Sequence, residues 1–509
     1  MAGRHRAEVG DRHELYANTI ASWTWSQGTL AVSIVTVPTL TRLLNQPEYG
    51  LWTQLLSLSA LATVADMGMS LVFLRRATDN ASVDSASMLQ SATAFYRTIT
   101  TLLTITLVLV CTLPHGLLSP YMNYTSMPIP AALAVIAGIS VNLRCQTSTL
   151  RLLARGRMDV VQIFGAGPAI VGTFATVLTA YFYRTAAAMS FAYAAVEIFF
   201  DIALMITARH YASTRGRVSS TNRSFVWWVR VWYESTGVAM IDVVPMISLL
   251  IGVTVVSHVV GLAAAAIYGV AGKVGSLVRR FITPFTESLF VSLCRATFGT
   301  RSAMTALLAR LSVVALSIGI TAAFVVVTAG PIGMRVAFGS TYESAVWVVL
   351  IMVLSDTVRC VYRPFLRKIQ SENDIGSLRF WFLTSIIVQV PLAVFASVQW
   401  STIGAAIAVL ACTFLFEAIP AAWKVCAGRR LLGVAGRPIL GQALAVLGAA
   451  CLALLLAWGR RQMGAFAVSF AAAGAITTGL FALAQVLRYL AAARSVRGPA
   501  QIPDPNEDS

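Results

Sequence analysis

Residues 311–330 read LSVVALSIGITAAFVVVTAG, twenty positions without a charged side chain. At about 1.5 Å of rise per residue, a helix of that length crosses the roughly 30 Å hydrocarbon layer of a bilayer. It is apolar all round, so it offers no face to water and belongs in lipid or in a fully enclosed core. Outward from this stretch the same run reaches back to Ala303, and comparable runs succeed one another from Ala17 to Leu487. The whole chain of 509 residues is 57% hydrophobic and 12% charged, with a mean hydropathy of +0.74. That is more apolar surface than a water-soluble globule covers. The longest polar interval, Ala208 to about Phe225, is too short to bury a core of its own.

Hydropathy places fourteen spans, near Ala17–Leu40, Tyr49–Leu74, Ala86–Leu113, Met127–Leu150, Val160–Tyr183, Ala186–Thr207, Trp228–Val256, Gly261–Leu289, Ala303–Gly330, Ser344–Val361, Ser377–Val398, Ile403–Cys426, Pro438–Trp458 and Met463–Leu487. The net charge of +17 would suggest nucleic acid in a soluble protein, but here the charges follow topology. With the N-terminus inside, 29 of the 38 Lys and Arg fall in cytoplasmic loops or span ends, five lie outside and four lie deep within spans. The lopsided split favours cytoplasmic N- and C-termini and argues against a nucleic-acid partner. Met1 to Glu14 is polar and basic, lacks a signal-peptide cleavage pattern, and reads as a cytoplasmic leader. The seven Cys lie in or beside apolar runs, with no CxxC and no His at metal-ligand spacing, so they read as packing thiols and no metal or cofactor is expected.

Weak internal matches share nearly one offset. Arg144-Cys145 and Arg359-Cys360 are 215 residues apart, Asp201 and Glu417 are 216 apart, Pro114 and Pro331, expected to end the third and ninth spans, are 217 apart, and Gly50 and Gly261 are 211 apart. Six spans separate the copies, and an even number of crossings returns the second copy to the orientation of the first. The expected fold is therefore an all-α polytopic membrane protein with two parallel six-helix lobes plus two C-terminal helices. The divisions are a leader at 1–16, an N-terminal lobe at 17–207, a cytoplasmic linker at 208–227, a C-terminal lobe at 228–426, two extra helices at 427–490 and a cytoplasmic tail at 491–509.

Charges at mid-membrane are expensive, about 2.5–3.5 kcal/mol on insertion scales, so those that occur face a cavity or a partner. Lys273 lies about 12 residues into the eighth span and Arg97 about 11 into the third, both near mid-depth. Arg279 and Arg280 sit one to two turns further along; Lys273 and Arg280, seven residues apart, share a helix face. These four are the candidate substrate-binding residues, because fixed cations in a low dielectric bind an anionic headgroup such as a diphosphate. Interhelical ion pairing or snorkelling is the competing account. Asp242, Asp66 and Glu234 are the candidate ion-coupling or salt-bridge residues; Glu197, Asp201, Asp356 and Glu417 are further acids able to neutralise a cation. Tryptophans such as Trp52, Trp227, Trp228 and Trp400 lie near span ends, as interfacial anchors do, and Pro168, Pro245, Pro284 and Pro391 mark possible bends.

Two blocks of sequence resemble the polysaccharide-transporter branch, the flippases of O-antigen and other lipid-linked oligosaccharides, in the superfamily that also holds multidrug/cation antiporters and lipid II flippases. The first comprises Asn18, Pro38-Thr-Leu-Thr-Arg42-Leu-Leu, Glu48-Tyr49-Gly50-Leu51-Trp52 and Ala65-Asp66-Met-Gly68-Met. The second comprises Ile241-Asp242, Val260-Gly261-Leu262, Tyr268-Gly269, Lys273 and Pro284, with Gly404-Ala-Ala-Ile-Ala and Glu417 in the twelfth span. The motifs cover about a fifth of the chain and are diffuse. The resemblance implies two six-helix lobes in a V, a central cavity alternating between leaflets, a polyprenyl-diphosphate-linked glycan as cargo, residence in a bacterial inner membrane, and a polymerase or export machinery as partner. Fourteen spans also suit a lipid II flippase. A drug or cation antiporter calls for an acidic cavity, which Lys273 and Arg97 oppose. A membrane-embedded glycosyltransferase or glycan polymerase calls for a long outer loop and a catalytic pair, and none of the five His is placed for one. A transporter is expected, not an enzyme. The cations Arg363, Arg367 and Lys368 read as a cytoplasmic cluster without a family role.

Overall fold

The computed structural model describes residues 27–59, 65–73 apart from 67 and 71, 84–112, 129–153, 157–212, 225–283, 286, 301–371 and 376–427. They are helical almost throughout. In chain order the helices are α1 (27–43), α2 (Gln46–Leu58), α3 (Asp84–Thr112), α4 (Ile129–Leu153), α5 (Met158–Tyr183), α6 (Ala186–Ala212), α7 (Phe225–Val259), α8 (Leu262–Gly275, resuming at 277–283), α9 (Arg301–Phe338), α10 (Ala345–Ser371), α11 (Gly376–Cys412) and, after a π-helical turn at Thr413–Ala418, α12 (Ile419–Ala427). Eight stretches among the described residues are long and apolar enough to cross a membrane. One of them, Leu378–Lys424, holds two crossings. Its path breaks at Trp400 and Ser401, where Ser401 has φ 56°, and Gly404 then passes close to the Ala396 carbonyl, so α11 folds back on itself. The eleventh and twelfth spans thus turn where the sequence places them. The thirteenth and fourteenth spans, the leader and the tail lie outside the described residues.

Helices α3 to α6 pack mainly on one another, and α7 to α12 form a second set. Lipid is as apolar as leucine, so helices in a membrane are held by close packing and polar contacts instead of by the hydrophobic effect. The two sets meet through α2 and α8. Gly50 of α2 sits so near the Leu262 carbonyl that a Cβ there would lie 2.0 Å from the oxygen, and Gly269 of α8 leaves 2.3 Å to Thr53 Cγ2. Only glycine permits that approach. Around this crossing the largest apolar cluster runs through both sets, with Leu40, Tyr49 and Trp52 against Tyr268, Val270 and Phe338. The Arg42 guanidinium also donates to the Val336 carbonyl of α9. These contacts join the two sets at the end that the sequence reading expects to face outward.

Two expectations change. The ninth span does not stop at Pro331, because α9 continues to Phe338. A proline removes one backbone bond, and neighbouring helices can compensate that loss within a membrane fold. The tenth span does not stop at Val361 either: α10 runs to Ser371, and Arg359, Arg363 and Arg367 are buried within it, so they are not a loop cluster.

Candidate functional site

A cavity of about 610 Å³ lies between the two helix sets. Its wall takes Thr29, Ser33 and Thr36 from α1, Trp52 from α2, Thr173 and Thr176 from α5, Tyr193 from α6, and Lys273, Leu277 and Arg280 from the eighth span, with Phe338 of α9 at one end. That volume falls within the roughly 300–1,000 Å³ range of sites that enclose small ligands. The wall is apolar with a scatter of hydroxyls. Its charged members among the described residues are both cations, Lys273 and Arg280.

The helix that carries them explains their placement. Leu262 to Val274 is small and apolar apart from Lys273, and its alanines and glycines let α8 lie tightly against α2 and α10. One face is thereby buried, and the Lys273/Arg280 face, two turns long, is left toward the cavity. The Lys273 ammonium stands 5.9 Å from the centroid of the Tyr49 ring, within cation–π range, which holds a positive charge without an acid. Arg280 donates from Nη1 to Ser33 Oγ at 3.1 Å, bridging to α1.

The other expected cations are not brought into this site. Arg279 turns the opposite way, and its Nε lies 3.7 Å from Asp356 Oδ2 on α10. Consecutive residues on a helix differ by about 100°, so adjacent arginines serve different surroundings. Arg97 stands on the exposed face of α3 with Thr98, Thr101 and Leu102, and not on the cavity wall, whereas Tyr96 beside it is fully buried. Depth along a helix carries no information about azimuth. Asp66 accepts from Ser70 Oγ at 2.8 Å and from the Tyr96 hydroxyl, tying the end of the second span to α3. Glu234 is half-buried on α7 and acts on Arg379, whose guanidinium lies 3.6 Å above the Tyr233 ring. Asp242 falls on α7, three residues before Pro245, and its side chain lies outside the described residues.

A second polar centre fills the interior of the α7–α12 set, and charge counting by loops missed it. Arg359, 6% exposed, forks onto Glu417 with Nε to Oε2 at 3.0 Å and Nη2 to Oε1 at 2.8 Å. Tyr362 donates to the same carboxylate at 2.9 Å and Ser385 at 3.4 Å, Ser248 accepts from Arg359 at 3.1 Å, and Asp356 lies 3.7 Å from Arg359 Nη1. The π-helical turn at Thr413–Ala418 carries Glu417 inward. The available signal was the spacing of Arg359, Arg363 and Arg367, four residues apart each time, which makes one helical stripe and not a loop.

Two sets of membrane helices therefore enclose a cation-lined cavity. Solved structures share the fold. The chain is similar to a structure of the lipid II flippase MurJ in an inward closed conformation, with TM-score 0.66 and 12% identity over 92% of this chain and 99% of that one. It is also similar to an inward-facing multidrug resistance MATE family transporter of the MOP superfamily, with TM-score 0.58 and 12% identity over 81% and 99% of the two chains, and to an outward-facing one with TM-score 0.56 and 13% identity over 86% and 96%. No family model matches the sequence, and no curated protein matches it. The fold is therefore that of the lipid II flippase and multidrug transporter structures.

Proposed function

We propose that the chain is a flippase that moves a polyprenyl-diphosphate-linked oligosaccharide or polysaccharide precursor from the cytoplasmic to the outer leaflet of a bacterial inner membrane by alternating access. The observation that carries this reading is the cavity wall, whose charged members among the described residues are Lys273 and Arg280. Two fixed cations in a water-poor cleft favour an anion and repel a cationic drug. Lys273 and Arg280 lie about 10 Å apart along the helix, so both reach a diphosphate group whose lipid tail leaves the cleft and whose glycan occupies the hydroxyl-lined remainder. The lobes at 17–207 and 228–426 rock against each other about this headgroup. A cargo shifts such an equilibrium only through differential affinity for the two states; both cations stand on α8, and the hydroxyls of α1 and α5 and the phenol of Tyr193 across the cavity change their distance to the headgroup as the lobes rock.

Lipid II is the second reading, favoured by the similarity to MurJ, because its diphosphate headgroup offers the same anion. Both readings make a polymerase or export machinery the partner that uses the product. The test is complementation in cells lacking the protein, scoring surface glycan and intracellular lipid-linked intermediate. Lys273→Ala and Arg280→Ala should each lose surface glycan and accumulate the intermediate. Full surface glycan with both would refute the cation grip. Restored drug resistance in place of glycan would favour an antiporter.

A further inference from the structure

We infer that the face of the cavity built from α1, α5 and Trp52 is a subsite for an uncharged saccharide. Each helix turns one face to the cavity, α1 through Ser33 and Thr36 and α5 through Gly165, Ala169, Thr173 and Thr176, at the three- and four-residue spacings that align side chains on a helix. The small residues keep this trough open: a Cβ built on Gly165 would meet nothing within 4 Å. Among the described residues, neither helix brings a charged side chain to the cavity, and the two cations stand on α8.

The hydroxyls of this face have committed their hydrogens to the backbone. Ser33 Oγ donates to the Thr29 carbonyl at 2.8 Å, Thr36 Oγ1 to the Val32 carbonyl at 2.7 Å, and Thr176 Oγ1 to the Thr173 carbonyl at 2.8 Å. A hydroxyl has one hydrogen and two lone pairs, so one that bonds back to its own helix offers only acceptor capacity beyond it. Ser33 shows the consequence, since its oxygen accepts from Arg280 Nη1 at 3.1 Å. A wall of acceptors fits a ligand that brings its own O–H or N–H donors. It disfavours phosphate and carboxylate oxygens, which bring none, and an apolar chain leaves its lone pairs unmet. An amine also brings donors, but Lys273 and Arg280 oppose its charge. An uncharged polyol satisfies every one of these conditions.

Trp52 supplies what distinguishes a sugar from other polyols. It is 3% exposed and lines the cavity, and its indole N–H has no hydrogen-bond partner, although buried donors nearly always have one. Its ring packs edge-on against that of Tyr193, a second wall residue, with centroids 5.9 Å apart. Aromatic faces are electron-rich and take the C–H side of a pyranose ring, while the indole N–H is a donor for one of its oxygens. The cations of α8 thus hold an anion, and α1, α5 and Trp52 hold the sugar beside it. That this sugar is the first residue of the cargo glycan, with Gly165 limiting its size, rests on the proposed function; saccharide binding does not.

The test uses the full chain, purified in a detergent without sugar and exposed to an octyl glucoside that carries a photoactivatable diazirine on its sugar, or to a diazirine-bearing octanol that lacks the sugar, with mass spectrometry locating the adducts. Glycoside adducts should concentrate on α1, α5 and Trp52, severalfold above those of the alkanol, and excess unlabelled octyl glucoside should compete them away. Gly165→Leu fills the open trough, and Thr36→Val/Thr176→Val keeps the shape of the wall while removing its acceptors. Each should cut the glycoside adducts severalfold and leave alkanol labelling elsewhere unchanged. Equal labelling of this face by both probes would mark it as an apolar groove and overturn the inference, as would glycoside adducts that neither variant reduces, or none at this face. Saccharide labelling without transfer of a polyprenyl-diphosphate-linked glycan in vesicles would sink the flippase reading and leave the subsite, whereas transfer without saccharide labelling would do the reverse.

Discussion

Removing Glu417 should destabilise the protein more than removing almost any other single side chain, and removing Arg359 together with it should restore most of the loss. Glu417 is 2% exposed and accepts four hydrogen bonds, two from Arg359, one from Tyr362 and one from Ser385. Glu417→Ala leaves a guanidinium in the lobe interior with Asp356 at 3.7 Å as its nearest remaining acid. Stranding one partner of a buried pair costs about 3–5 kcal/mol, and the retained Asp356 places the expected loss near the lower end. Replacing both partners by apolar residues of similar size is close to neutral in many proteins, so Arg359→Leu/Glu417→Leu should fall within about 1–2 kcal/mol of the parent, with Asp356 still paired to Arg279. The singles and the double form a cycle, read as midpoints of unfolding followed by tryptophan fluorescence in detergent. A coupling of at least about 2 kcal/mol is expected. Singles that cost under about 0.5 kcal/mol, or a double no better than its worse single, would refute the buried-pair account.

Three further expectations concern the lobes and the cavity. Gly50→Ala places a methyl against the Leu262 carbonyl, a backbone atom with no freedom to yield, so it should wedge the outward end open; a cysteine at Ser33 should then react faster with an impermeant thiol reagent added outside, and unchanged reactivity would show that the α2–α8 contact is not the seal. Arg97→Ala should leave surface glycan within about twofold of the parent, since it stands on an exposed helix face, where substitutions fall within roughly ±0.5 kcal/mol; loss equal to that of Lys273→Ala would return Arg97 to the transport path. Tyr96→Phe takes a donor from Asp66 and should cost about 1–3 kcal/mol in the same unfolding assay, with Ser70 retaining the other bond.

The fold was legible because the length and polarity of apolar runs are set by the bilayer, and runs such as 311–330 succeed one another too closely for a water-soluble core. The hairpin between the eleventh and twelfth spans was legible for the same reason. Leu378–Lys424 is too long for one crossing, and the backbone leaves helical torsions at Trp400 and Ser401, where the run has to turn. Boundaries read from charge were less secure. Arginine marks a membrane edge only when it faces lipid or water, and Arg359, Arg363 and Arg367 face protein. Of the four candidate cations, depth pointed to Lys273 and the seven-residue spacing to Arg280, and these two line the cavity. Azimuth did not follow from depth, so Arg97 was placed inward and Arg279 was grouped with Arg280.

The central claim, that Lys273 and Arg280 grip an anionic lipid headgroup in the inter-lobe cavity, is tested most directly by reconstitution. The purified chain is placed in vesicles carrying a fluorescent polyprenyl-diphosphate-linked glycan, and the fraction of label reached by an external quencher is followed with time. The account predicts transfer by the parent protein, loss of most of that transfer with Lys273→Ala/Arg280→Ala, and partial recovery when arginine replaces Lys273. Transfer by the double variant at the parent rate would contradict it.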